Sequence, residues 1–418
     1  MSPSNSSLLA ALCRRLLISL WSVEVMIRRY FLLLLFLITN CVDCFADIQQ
    51  RINEAEKEYI SNRFLNAVFM FADDYKTLLT GAKGIFALNG EQLKANEMMP
   101  IAFATKPFTA AGILKLQEQE LLNINDKIYK YLDPEMWGGK VPDWAYKISI
   151  HNLLTHSSGI AEYFSFVKLD LNMPKKEIHK KILQFVSSKP LEISIGKKFK
   201  YSNTNFVILG MIIEKVAKKD LANFFYEEFF KPLNMKSTSF ASYSEAARIQ
   251  KNVISSNYPV RYFLTPNNSN KPIFTPVTAD FLAVPCADGG IISTPVDLIK
   301  WYRALNEGKI LSKKSYKLMT TKYFLAKDIE GRKSYMGYGI FLTDLDSKHL
   351  MIHYTGKALG IQSEAGYVLP DNLYFAMLSN TMIKIPEEEK DKIDMKNPLN
   401  QLGIIYFRDA IIGAAIKN

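Results

Sequence analysis

Three separated segments of this chain carry residues of the types and spacings that could do chemistry. The first is the apolar-periodic stretch from Met99 to Gln117, with Lys106 near its start. Pro107 follows at once and fits only the first turn of a helix, so Lys106 is read as a helix-start lysine. Phe103 stands one turn earlier on the same face, because positions three apart are neighbours on a helix. An apolar ring there would desolvate the ammonium and lower its pKa, which makes Lys106 a candidate base. The nearest hydroxyls are Thr105, adjacent to the lysine, and Thr109, one turn beyond it. The second segment is Tyr201-Ser202-Asn203 and the third is Tyr354-Thr355-Gly356, followed by Gly360. His353 is next to Tyr354, and strand neighbours point to opposite faces, so His353 is expected to face away from whatever Tyr354 faces.

In this order the segments resemble the serine β-lactamase and penicillin-binding protein superfamily, and within it the class C-like branch of peptidases, esterases and lactamases. The resemblance runs over about residues 55–418. It includes the connection from Leu121 to Pro134 and the string from His151 to Gly159, which is similar to the family's LLtHtSG signature. The family's chemistry uses a serine in S-x-x-K, a Y-x-N or S-D-N motif that completes the proton path, and a K-T-G or H-x-G strand that binds the substrate backbone and carboxylate. The resemblance therefore implies Lys106, Tyr201 and Asn203 as catalytic positions, with Phe103 at the place of the nucleophile. It implies Tyr354, Thr355 and Gly356 as the substrate-binding strand, with Tyr354 where Lys or His is usual. Losing a nucleophile typically costs a hydrolase on the order of 10⁴ to 10⁶ in rate. The function implied is that of an exported, non-catalytic binding protein with a degenerate site, taking a cell-wall peptide-like or acyl ligand. The alternative is an active serine-type hydrolase with an unconventional nucleophile or a water. No cofactor or metal is implied. His151 and His156 lack convergent acids, Cys286 reads as a small buried residue, and Asp288-Gly289-Gly290 reads as a turn.

The elements that must position these residues follow from pattern. Residues 47–62 read as a helix and Asn66 to Ala72 as a buried strand, with Asp73-Asp74 as a turn. Strands are expected over Tyr75–Leu79 and Lys83–Leu88, and later over Tyr338–Leu342, His349–Tyr354, Glu364–Leu369 and Tyr374–Leu378. Ser149 caps a short helix that Gly159 stops, and Tyr201 opens a turn into an apolar helix. Thr294, Pro295 and Asp297 mark another helix start: a cap, a first-position proline and a first-turn acid. Residues 240–285 show no clear period, and Asn267 to Pro272 reads as an exposed loop. Leu399 to Ile416 reads as an apolar helix suited to lie on a sheet. Together with the resemblance, this gives a mixed α/β chain with a mostly antiparallel sheet flanked by helices. The sheet part is expected over about 47–105 and 286–418, and a mainly helical insertion over about 106–285.

Composition narrows the setting. The chain has 418 residues, 48% apolar and 22% charged, as in an ordinary globular protein. Its net charge is +11; the first 46 residues hold four Arg and two acids, leaving 48 bases against 39 acids, or +9. The bases fall in scattered pairs with no aromatic-basic platform, so nucleic-acid binding is not expected. Met26-Ile27-Arg28-Arg29, the apolar core from Tyr30 to Thr39 and the small residue Ala46 have the layout of a secretory signal peptide, with Met26 as a possible start. An uncleaved anchor or a lipoprotein site at Cys41 are the alternatives. The expected location is the periplasm or envelope, with membrane association through this N-terminal segment. Of the four cysteines only Cys286 lies beyond Ala46, so no internal disulfide is expected.

Overall fold

The computed structural model describes residues 47–169, 172–242, 245–246, 258–265, 272–277, 286–329, 332–384 and 404–416. The proposed signal segment, most of the Asn267–Pro272 loop and the first residues of the Leu399–Ile416 reading lie outside these.

An eight-stranded sheet organises the chain. Its strands are β1 (Ala67–Ala72), β2 (Thr77–Lys83), β8 (Phe324–Ile329), β9 (Arg332–Met336), β10 (Phe341–Asp344), β11 (Leu350–Ala358), β12 (Ile361–Leu369) and β13 (Leu373–Ser379). They lie in the order β2-β1-β13-β12-β11-β10-β9-β8, and every pair is antiparallel. Two small sheets stand beside it. One is β3 (Met99–Pro100), β7 (Ile291–Ser293) and β4 (Ser239–Phe240); the other is β14 (Thr381–Ile383), β5 (Tyr262–Thr265) and β6 (Ile273–Pro276). The mixed α/β architecture matches the expectation.

The sheet is covered on both faces, and the strands read accordingly. On β13, Tyr374, Ala376 and Leu378 enter one core, while Leu373, Phe375 and Met377 enter the other. The period of two assigns alternate residues to opposite faces. The first core is filled by α2 (Lys106–Glu118), α3 (Ile150–Leu154), α4 (Lys175–Ser187), α5 (Thr204–Ala217), α6 (Leu221–Phe225) and the helix Pro295–Asn306. The second is filled by α1 (47–62) and the helix Ile404–Ile416, whose Phe407 packs edge-on to Tyr59, Phe69 and Phe71.

Local chemistry sets the ends of these elements. Ser149 accepts from Asn152 N in a capping box, and Thr294 accepts from Asp297 N with Pro295 behind it. Asp73 Oδ1 accepts from the amides of Tyr75 and Lys76, which makes the expected turn. The two strands expected over 75–88 are a single strand ending at Lys83. Gly84 has φ +95°, and an added Cβ would lie 1.9 Å from Asn66 Oδ1, so the strand cannot run on. The strand expected from Tyr338 begins only at Phe341, because Gly339 bends the chain at φ +58°. Beyond the helices, the stretch 106–285 also contains β4, β5 and β6, which its sequence period did not show.

Candidate functional site

A single turn of 3₁₀ helix, Ala102–Thr105, leads straight into α2. It puts Phe103 and Lys106 side by side, with the Lys106 Nζ 4.1 Å from the centre of the Phe103 ring. The lysine is fully buried, and α5 and the 286–291 segment supply its polar partners. Nζ donates to Asn203 Oδ1 at 2.7 Å and to the Asp288 carbonyl at 3.3 Å. Asn203 Oδ1 also accepts from the Tyr201 hydroxyl at 3.1 Å, so one amide oxygen joins the two other predicted residues. The Tyr201, Phe206 and Tyr354 rings complete the enclosure, at 5.1, 5.7 and 5.9 Å from the ammonium. A cation over aromatic faces is stabilised by their quadrupoles, which offsets part of its lost hydration.

Burial dominates the electrostatics. It pushes the Lys106 ammonium down to about 7, against the opposing pull of Asp288 and Glu162. It pushes the buried Asp288 carboxyl up to about 6, while Lys106 holds it down and Glu162 adds to the rise. The Tyr201 phenol is raised well above its ordinary value, first by burial and then by Tyr354. A neutral phenol that donates and an ammonium close to neutrality are the two ends of a short proton path.

The two threonine hydroxyls near Lys106 are tied up elsewhere. Thr109 Oγ1 donates to the Ala287 carbonyl at 2.6 Å, and Thr105 Oγ1 accepts from Ile291 N at 3.1 Å. Both hold α2 to the segment carrying Asp288. Phe103 is half-buried and packs edge-to-face on Phe164 at 5.4 Å.

The predicted strand segment divides between two faces. Tyr354 joins the core that holds Lys106, and its buried hydroxyl lies beside the Tyr201 phenol. His353 faces the other way, as its register requires, and contacts Glu364 Oε1 at 2.6 Å and Thr343 Oγ1 at 2.9 Å. Thr355 shares that far face and donates to Glu364, so its side chain is not brought to Lys106. Burial alone would raise Glu364, but Arg408 at 2.8 Å and His353 hold it down at about 2. Gly356 is required by packing, since a Cβ there would lie 2.1 Å from the Ile101 carbonyl. Its absence lets β11 press against the Phe103–Lys106 turn. β10 pairs with β11 only as far as His353, so from Tyr354 to Ala358 no strand among the described residues pairs with that edge.

Sequence reasoning missed Glu162, Tyr163 and Asp288. The turn expected at Asp288-Gly289-Gly290 is present, but the carboxyl is buried and accepts from the Tyr163 hydroxyl at 3.1 Å. Glu162 accepts from the Asn203 backbone N at 2.7 Å and so holds the residue whose side-chain amide binds Lys106. The available signal was two acids in apolar surroundings, one just after the His151–Gly159 string and one just before a double glycine.

The family model described as Beta-lactamase matches residues 44–397. The chain belongs to the Beta-lactamase family. Among curated relatives, a penicillin-binding protein of Bacillus subtilis (strain 168) is 30% identical over 149 residues. That match takes in 35% of this chain and 31% of the relative, so the chain spans only about a third of that protein's length. The D-alanyl-D-alanine-carboxypeptidase/endopeptidase AmpH of Escherichia coli (strain K12) is 22% identical over 310 residues, 68% of this chain and 72% of that protein. The solved D-amino acid amidase of Ochrobactrum anthropi SV3, complexed with D-phenylalanine, superposes with a TM-score of 0.66 at 18% identity, covering 89% of this chain and 100% of that one. FmtA of Staphylococcus aureus superposes with a TM-score of 0.61 at 20% identity, covering 88% and 90%. These likenesses show that the fold is that of the β-lactamase and penicillin-binding protein serine hydrolases.

Proposed function

We propose that this chain is an exported binding protein of the class C-like branch, with a degenerate site that holds a cell-wall peptide-like or acyl ligand and forms no acyl-enzyme. One observation carries the reading: the Phe103 ring lies 4.1 Å from the Lys106 ammonium, in the space where a nucleophilic hydroxyl and a reacting carbonyl would meet. Neither threonine beside Lys106 replaces it, because Thr105 and Thr109 are both bonded to the backbone of 287–291. Lys106, Tyr201 and Asn203 keep a connected polar cluster beside Phe103, which suits ligand recognition even without covalent chemistry. The AmpH relative is named a D-alanyl-D-alanine-carboxypeptidase/endopeptidase, which supports a peptide ending in D-alanyl-D-alanine as the first ligand to try.

The test is calorimetric titration of the chain with such a peptide, followed by chromatographic recovery of the peptide. Saturable binding with the peptide recovered intact is expected. Release of free D-alanine would overturn the reading in favour of an active hydrolase.

A further inference from the structure

The loop that walls the Lys106 site also has an outward side. Tyr163 bonds Asp288 and Phe164 packs edge-on to Phe103, which makes the inward side. Phe164, Val167 and Leu169 pack on the large core, but Phe166 turns away from it and is 69% exposed. The amides of Phe166 and Val167 both donate to the Tyr163 carbonyl at 2.9 Å, which fixes the turn that holds the ring out. The ring stacks on Phe185 of α4, with centroids 6.2 Å apart and planes at 17°. Lys189, four residues beyond Phe185, puts its Nζ 5.3 Å from the centre of the Phe185 ring. Lys181, four residues before Phe185 and so on its helix face, donates to the Lys168 carbonyl at 2.6 Å and ties the loop to the helix. An aromatic pair thus lies among three exposed lysines, Lys168, Lys181 and Lys189.

Charge is unbalanced on this face. α4 carries Lys175, Lys176, Lys180 and Lys181 against one acid, Glu177, which sits in the first turn where the helix dipole favours it. Lys175 is paired with Glu214 at 2.6 Å and Lys176 with Glu135 at 3.6 Å, whereas Lys168, Lys181 and Lys189 form no ion pair among the described residues. A small soluble anion would meet the lysines and leave the Phe166 ring in water. An anionic phospholipid surface meets both, because its phosphates take the ammonium groups while the ring enters the boundary between headgroups and acyl chains.

We propose that this face docks the chain on an anionic phospholipid bilayer, with Phe166 inserted and Lys168, Lys181 and Lys189 at the phosphates. The turn that carries Phe166 also carries Phe164, so a bilayer held there lies beside the wall of the Lys106 site. The surface is outside that site, so the inference goes beyond the reading of Phe103 and stands whether or not acylation occurs.

Co-sedimentation of the chain from Asp47 with phosphatidylcholine vesicles, with and without phosphatidylglycerol, tests it. Starting at Asp47 keeps the apolar run Tyr30–Thr39 from contributing, and both large cores are built from residues beyond that point. Binding should need phosphatidylglycerol and should be lost as salt rises from about 0.1 M to about 0.5 M. Lys168→Gln, Lys181→Gln and Lys189→Gln should each weaken it about fivefold, the order expected for one lysine at an anionic surface. Phe166→Ser should weaken it by about the same factor, since only the exposed part of the ring is inserted. Phe166→Trp should bind like the parent and be quenched by lipids with brominated acyl chains. Lys314→Gln, exposed on the helix Lys313–Met319, should change nothing. No binding, equal binding to phosphatidylcholine alone, or variants at 166, 168, 181 and 189 that all bind like the parent would overturn the proposal. Soluble polyphosphate binding the parent and Phe166→Ser as tightly as the vesicles do would also overturn it, in favour of a soluble polyanion. The D-alanyl-D-alanine peptide titration contains no lipid, so the two proposals fail independently.

Discussion

Lys106→Met should remove a pH dependence that the buried ammonium imposes on folding. In the folded chain Lys106 titrates near 7, pushed down by burial from an ordinary value of 10.5. Between those values the unfolded chain carries a proton that the folded chain has released, so stability must rise with pH across that window. One proton corresponds to about 1.4 kcal/mol per pH unit, or about 2–3 kcal/mol between about pH 7.5 and about pH 9.5. Asp288 acts on the other side. Its folded value is pushed up to about 6 from 3.8, so the folded chain keeps a proton that the unfolded chain has lost, and stability falls as pH rises through that interval. The two together predict a trough in stability between about pH 6 and about pH 7. The window closes below about pH 10, where unfolded phenols ionise before buried ones such as Tyr201 and stability falls again. The assay is urea unfolding followed by tryptophan fluorescence, at pH values spanning this range. Methionine has nearly the volume of the lysine stem and leaves the Tyr201–Asn203 hydrogen bond in place. The wild-type rise above pH 7 should be absent in Lys106→Met. A wild-type profile that is flat there, or a variant that keeps the rise, would refute the reasoning.

Other outcomes follow from the same geometry. Phe103→Ser should cost about 1–2 kcal/mol in urea unfolding, because the ring is only half-buried, and should confer a penicillin adduct at position 103 detectable by mass. Arg408→Met should cost about 3–5 kcal/mol by leaving Glu364 buried without its guanidinium, and adding Glu364→Met should recover much of that loss in the same measurement. Tyr354→Phe removes a buried hydroxyl that lies beside the Tyr201 phenol, so it should cost no more than about 1–2 kcal/mol in the same measurement; a loss above about 3 kcal/mol would show that the hydroxyl does more than meet that one phenol.

Much of this was legible before the structure. The helix start at Lys106-Pro107, the Ser149 and Thr294 caps and the strands around Tyr354 and Phe375 are local signals, set by hydrogen-bonding side chains and a two-residue period. The opposite facing of His353 and Tyr354 followed from the same period. The clustering of Lys106, Tyr201 and Asn203 was expected from the resemblance, and the fold brings Lys106 and Tyr201 within bonding distance of the Asn203 side-chain oxygen. What stayed hidden is non-local. Asp288 read as a turn residue because its burial depends on Tyr163 and Lys106, which come from elsewhere in the chain. Thr355 read as a partner for Tyr354, yet strand alternation turns its hydroxyl to Glu364 on the far face. The Glu364–Arg408 pair spans β12 and the helix Ile404–Ile416, and no sequence period connects them. Strand β6 lacked a pattern because its residues are mostly exposed, and β5 alternates over only four residues, too short a run to stand out.

The most direct measurement is intact-mass spectrometry of the purified chain from Asp47 onward, after incubation with a fluorescent penicillin and, separately, with a fluorophosphonate, alongside an active relative. The account predicts an unchanged mass for this chain and a labelled relative. A mass increase mapped to any one residue would contradict it, because it would show an acylating nucleophile in a chain proposed to have none.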